Sequence, residues 1–401
     1  GRGGRPTHPA VTVGALAPEG VGDPRRGGWA GHRGRLVPVE LTARDGALLQ
    51  GDLFAPLAGA RDPYTGARLT GPYPPVVIVT GSIQASAGVY AWLAEDLAER
   101  GYVVLTFDVQ GQGQSETLPH DGTLTGVPSE QQSNFDDDTE DAITFMLSTP
   151  AHPDARAVNP LWGLIDHRPD PRSATRGRTT KLAVIGHSTG AVTVSYLQGV
   201  DPRIEVAVAL DKITATPAAI SDDEAELGSL PGPVVPKVPT LGLQADYGFE
   251  PQPYFLAGCS SFEPCAGSPS QAPNPAREEQ TGFDTWRTDR VDSMVMVPRA
   301  STHLDFTDVP LILPASAQGQ AVASYYAQAW LAKYLRHDPG ADTALLATRL
   351  RYLLPGAGDT RRMVTMDRNS HLSFYFCSGY VFRLANGTRV ADGDLIGDGC
   401  R

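Results

Sequence analysis

Between Pro75 and Pro298 the chain alternates short apolar runs with amphipathic or longer connecting stretches. The runs are PVVIVT (75–80), YVVLTFD (102–108), KLAVIG (181–186), IEVAVALD (204–211), VPTLGLQAD (238–246) and VDSMVMVP (291–298). A run without polar alternation has no face to offer water, so it belongs to a strand covered on both sides. Strands of that kind joined by helical crossovers build an α/β architecture, a mostly parallel sheet with helices on both faces.

Two further strand-like runs, Arg35–Ala43 and Ala47–Pro56, precede these and are joined through Arg44-Asp45-Gly46, a hairpin signal. The count of strands is then eight. Val89, Trp92, Leu93 and Leu97 fall on one face of a helix over Ala87–Arg100, which Gly101 ends. A second helix opens with Asp136, Asp137, Asp138, Glu140 and Asp141, carboxylates read as complementing the helix dipole rather than holding calcium. A last long helix, about Ala315 to Arg336, buries Val322, Tyr326, Ala329 and Trp330. Residues 1–35, rich in Gly, Pro and Arg, read as an irregular extension that wraps the surface or stays mobile, and 36–337 as the main domain. Residues 338–401 read as a helix-like stretch, DTALLATRLRYLL, followed by a small β appendage with a turn at Asn386-Gly387.

Composition limits the partners. The net charge of −12 argues against nucleic acid and anionic membrane surfaces, both of which require concentrated positive charge. No apolar run is long enough to cross a bilayer. The chain begins at Gly1, without methionine, which fits removal of an N-terminal leader or trimming. Four cysteines fall into two local pairs, Cys259 with Cys265 and Cys377 with Cys400, at spacings unsuited to zinc. Paired locally they imply two disulfides and an oxidising, extracellular location; four buried thiols are the alternative.

The chemistry is carried by Gly186-His187-Ser188-Thr189-Gly190, between an apolar strand and a helical pattern. A glycine at each end lets a strand reverse sharply into a helix and pushes the serine hydroxyl outward. A serine hydroxyl is a poor nucleophile until an imidazole takes its proton, and the imidazole needs a carboxylate to hold its tautomer. Asp246, past the seventh strand, and His303, past the eighth, supply both types.

With this Ser, Asp, His order, the Gly-His-Ser-Thr-Gly turn and the Asp-x-x-Gly-x-Gly-x-Ser loop from Asp108 to Ser115, the chain resembles the α/β-hydrolase superfamily from about Arg35 to His337. It looks most like secreted esterases and lipases, including polyester-hydrolase and dienelactone-hydrolase relatives. The resemblance implies a secreted serine carboxylester hydrolase acting on neutral esters, polyesters among them, through an acyl-enzyme and without metal or organic cofactor. A peptidase or amidase on the same triad, and a catalytically silent binding protein, are the alternatives. It further implies Ser188 as nucleophile, His303 as base and Asp246 as acid, with Asp211, at the end of the sixth strand, the second candidate. The oxyanion donors would be the backbone N–H groups of Thr189 and Ser82, with Ile83 the alternative to Ser82. His187 is expected to be structural, His337 and His371 to follow the sheet too late, and Asp305 to support a helix start. The long span from Gly248 to Arg290 reads as a disulfide-stapled flap whose Phe255, Phe262 and Trp286 line a substrate cleft, or as a loop burying its own aromatics.

Overall fold

A computed structural model of the chain describes residues 28–82, 86–117, 128–154, 157–215, 230–248, 282–308, 315–356 and 360–397. The six apolar runs form strands β3 (Pro75–Val79), β4 (Val103–Phe107), β5 (Leu182–His187), β6 (Ile204–Leu210), β7 (Thr240–Leu243) and β8 (Ser293–Met296). The hairpin forms as read, β1 (Gly34–Thr42) pairing antiparallel with β2 (Leu48–Pro56) and turning through Gly46 at φ 92°. Helices are α1 (Ala91–Ala98), α2 (Gln132–Met146), α3 (Thr189–Val200), α4 (Phe283–Thr288), α5 (Ala317–Arg336) and α6 (Ala341–Leu346).

The main sheet has ten strands rather than eight, in the order β1-β2-β4-β3-β5-β6-β7-β8-β11-β12, with β11 (Gly379–Arg383) and β12 (Arg389–Asp392). All neighbouring pairs from β4 to β8 are parallel. The C-terminal segment therefore extends the sheet: β11 runs antiparallel along β8, which would otherwise present an unpaired edge. The stretch read as helix over Asp342–Leu354 is helical only to Leu346 and continues as β9 (Arg349–Pro355), paired with β10 (Arg361–Asp367). Arg349, Leu350, Arg351 and Tyr352 alternate exposed and buried, the strand period.

Successive residues of one strand serve opposite layers. Val76 and Ile78 pack with α1 and α5, and Val77 and Val79 with α2 and α3. The mostly parallel sheet with helices on both faces is thus present. The acidic run of α2 lies in the second and third turns of the helix, which starts at Gln132. Asp136 and Asp138 are buried, and Asp137, Glu140 and Asp141 hold Arg44 of the hairpin. Among the described residues no helix is long and apolar enough to cross a membrane, and no cluster of His, Cys, Asp and Glu could hold a metal ion.

Candidate active site

The sheet order reverses between β3 and β5: the chain leaves β3 for β4 on one side and returns to β5 on the other. Ligands of open α/β sheets bind at the C-terminal ends of strands beside such a reversal. Ser188 lies there, half-buried, with φ 56° and ψ −119°, between β5 and the first residue of α3, Thr189. Few non-glycine residues occupy that region, and those that do cluster at functional sites. The flanking glycines are required by contact. A Cβ on Gly186 would stand 2.0 Å from the Gly190 carbonyl oxygen, and one on Gly190 2.5 Å from that of Thr80.

His303 opens a short 3-10 turn after β8, and its Nδ1–H donates to Asp211 Oδ2 at 2.6 Å. Asp211 follows the last residue of β6. Its side chain is 7 % exposed, and its Oδ1 accepts the Ala245 N–H at 3.0 Å. The Ser188 N–H in turn donates to the Leu210 carbonyl at 3.0 Å, so Ser188 and Asp211 stand on adjacent strand ends. Ser188 follows β5 and His303 follows β8, and what links their surroundings is Asp211 at the end of β6, whose neighbour Leu210 receives the Ser188 N–H.

The carboxylate on His303 is thus that of Asp211 and not that of Asp246, which corrects the expected partner. Asp246 is buried at 1 % exposure and is occupied elsewhere. Its Oδ2 accepts the Ala300 N–H at 2.9 Å and its Oδ1 accepts the Ser373 hydroxyl. Ser373 Oγ also accepts the N–H groups of Tyr375 and Phe376. Arg299 adds a bond from Nε to the Leu372 carbonyl, 2.8 Å, and lies over the Phe374 ring. Asp246 therefore ties the C-terminal segment to the backbone that leads into His303.

The loop after β3 approaches Ser188 closely: a Cβ on Gly81 would meet Ser188 Cβ at 3.1 Å. Ser82 is buried there, and no hydrogen bond to its N–H occurs among the described residues; Ile83 lies outside them. The Thr189 N–H, at the first turn of α3, has no carbonyl four residues back within its helix.

Three side chains hold this loop, two of which, Gln112 and Tyr90, the sequence did not mark. Gln112, 5 % exposed, donates from Nε2 to the carbonyls of Gly81 (2.6 Å) and Ser82 (3.0 Å), and accepts the Thr80 hydroxyl at 2.6 Å. Asp108, the first residue of the quoted loop motif, accepts the N–H groups of Ala87 and Gln114. The Tyr90 hydroxyl accepts the Gly81 N–H at 2.8 Å.

His187 is buried beside Ser188, bonded to Tyr90 and to the His303 carbonyl, and burial with the nearby His303 ring pushes its pKa down to about 3. His337 caps α5 and pairs with Asp170, while His371 bonds the Asp367 carbonyl; neither reaches Ser188. Asp305 accepts from the Ser316 N–H and hydroxyl at the start of α5.

Trp286, expected at a cleft, is fully buried on α4 in the layer beneath the sheet, donating to the Val238 carbonyl at 3.1 Å. Phe255, Phe262, Cys259, Cys265 and Cys400 lie outside the described residues. Cys377 is disulfide-bonded.

No known family model matches this chain, and comparison with curated proteins finds no match.

Proposed function

We propose that the chain is a serine hydrolase of the α/β-hydrolase type that cleaves carboxylic esters through an acyl-enzyme. The observation that carries this reading is the strained Ser188 at the end of β5 together with Asp211 on the next strand end, whose carboxylate holds Nδ1 of the His303 imidazole.

In the proposed reaction Ser188 Oγ attacks the ester carbonyl while His303 Nε2 takes its proton, and Asp211 fixes the tautomer and stabilises the imidazolium. The Thr189 and Ser82 N–H groups receive the oxyanion, each such donor being worth about 3 to 4 kcal/mol of barrier. The C–O bond breaks as His303 protonates the leaving alcohol. Water activated by the same imidazole then releases the acid and returns the serine.

Neutral esters fit a chain of net charge −12 better than anionic ones, and polyesters belong to that class. A disulfide-bonded Cys377 supports an extracellular setting. The test is titration with an organophosphonate beside a panel of ester and amide substrates. We expect one phosphonyl group per chain, on Ser188, and ester cleavage that stops in proportion; an unlabelled chain, or one labelled elsewhere with esterase activity intact, removes the reading.

A further inference from the structure

His187 and Tyr90 have no part in the reaction as written, yet they join its two halves. The Gly81 N–H, on the oxyanion side, can only donate, and the Tyr90 hydroxyl receives it at 2.8 Å. That hydroxyl has one proton of its own, and His187 Nδ1 lies 2.8 Å away. On the other side of the ring His187 Nε2 is 2.8 Å from the backbone carbonyl of His303, which can only accept. These partners fix every proton: Nε2 carries the hydrogen, Nδ1 is the acceptor, and the ring is neutral. The depressed pKa of His187 agrees. Tyr90 and His187 are 0 % and 3 % exposed, so no water substitutes for either partner without repacking. The His187 ring also lies against that of His303, centroids 4.5 Å apart and planes 36° apart.

We propose that Tyr90 and His187 form a positioning bridge that sets the general base His303 relative to the oxyanion loop, so that nucleophile activation and oxyanion binding are held in one geometry. The proposal rests on the serine hydrolase reading. The bridge contacts no substrate. It acts through the backbone of His303 at one end and of Gly81 at the other, and its effect belongs in the chemical step. A shift of the base by a fraction of an ångström is felt in kcat, whereas binding of the ester is left alone.

Two substitutions each keep one half of the bridge. His187→Gln keeps a side-chain N–H at the depth of Nε2, and His187→Asn keeps an acceptor at the depth of Nδ1 for Tyr90. We expect His187→Asn and His187→Gln each to lower kcat about 10- to 100-fold with KM changed less than about threefold, since each cuts the bridge at one end. Tyr90→Phe combined with His187→Asn should be no worse than the more damaged single variant, because both cut one connection. Organophosphonate labelling of the unaltered protein comes first, since its failure removes the hydrolase reading and not the bridge geometry. A kcat unchanged from the unaltered protein, full activity in either single His187 variant, a loss confined to KM, or additive losses would overturn the proposal. Imidazole carbon NMR of the unaltered protein is a second test independent of variant folding. His187 should hold the Nε2–H tautomer without titrating from pH 5 to 8, and a protonated or Nδ1–H ring there overturns the bridge.

Discussion

Replacing Asp211 with asparagine separates the two candidate acids by chemistry rather than by size. Asp211 Oδ1 receives the Ala245 N–H at 3.0 Å, and Oδ2 receives the His303 Nδ1–H at 2.6 Å. An amide in that place has one acceptor and one donor end. The backbone N–H of Ala245 cannot turn around, so the amide oxygen stays on it and the NH2 group faces His303. The imidazole must then offer a lone pair at Nδ1 and carry its proton on Nε2, where it can no longer take the Ser188 proton. The expected loss at neutral pH is about 10⁴-fold in kcat, or roughly 5.5 kcal/mol of barrier. Asp246→Asn should act differently. Its amide would point a donor at Ser373 Oγ, which already receives two backbone N–H groups, or at the Ala300 N–H. Losing one charge-assisted buried hydrogen bond costs about 1.5 to 3 kcal/mol of stability. Its effect on kcat/KM should stay within a few-fold. Initial rates on an acetate ester and urea unfolding of both variants measure the contrast. A mild Asp211→Asn beside a crippled Asp246→Asn would refute the reasoning and return the acid to the seventh strand.

Three further outcomes follow from named contacts. Ser188→Ala should leave the fold intact and reduce ester cleavage by several orders of magnitude; a variant keeping more than about a hundredth of the activity would not have lost its nucleophile. Gln112→Glu turns carboxylate oxygens toward the Gly81 and Ser82 carbonyls, so kcat and the affinity for a boronate transition-state mimic should fall together, each by about 100-fold. Unchanged boronate affinity would show that Gln112 does not shape the oxyanion loop. Burial pushes the Asp136 carboxyl from 3.8 up to about 7, outweighing its bond from Gln132. The folded chain therefore holds this proton more tightly than the unfolded chain. That contribution to stability is complete below about pH 4 and is lost as pH rises through 7, a difference on the order of 4 kcal/mol. Asp136→Asn should remove this share of the pH dependence of urea unfolding between pH 4 and 8, leaving that of Asp138 and Glu205, which burial raises likewise, and an unaltered profile would contradict it.

The strands β3 to β8 were legible because each is buried on both faces, which leaves a largely apolar run without polar alternation in the sequence. The stretch Asp342–Leu354 was not, since its leucines satisfy the helical and the strand period alike and only pairing with β10 decides. Trp286 misled for a related reason: an aromatic residue in a long connection reads the same whether it lines a cleft or, as here, packs under the sheet. The turn around Ser188 was visible because close approach demands glycine at fixed spacing. Gln112, Tyr90 and His187 reach partners 31, 9 and 116 residues away, and no local pattern marks such bonds. Asp246 and Asp211 both follow strands, and what tells them apart is the path of the chain between 246 and 248. There the backbone runs beside 301–303, Tyr247 N–H on the Ser301 carbonyl and His303 N–H on that of Gly248.

The backbone itself offers an independent argument for the carboxylate on the sixth strand. Ser188 and Asp211 are both non-glycine residues at positive φ, 56° and 48°, and they close adjacent parallel strands. Each such conformation costs on the order of 1 kcal/mol or more and persists only where its surroundings over-determine it. Those surroundings are shared. The Ser188 N–H is bonded to Leu210, the residue before Asp211, and the Asp211 N–H is bonded at 2.6 Å to Leu243 on the next strand. One sheet register thus sets both side chains. The carboxylate arrives at His303 from the strand beside the one that carries the serine, across a parallel pairing that extends from Leu182 to Leu210. A carboxylate at Asp246 would reach the imidazole from a loop already committed to Ala300 and Ser373. Placing the acid on the strand end rather than in that loop leaves the C-terminal segment free to brace His303 from behind, which is what Asp246 and Arg299 accomplish.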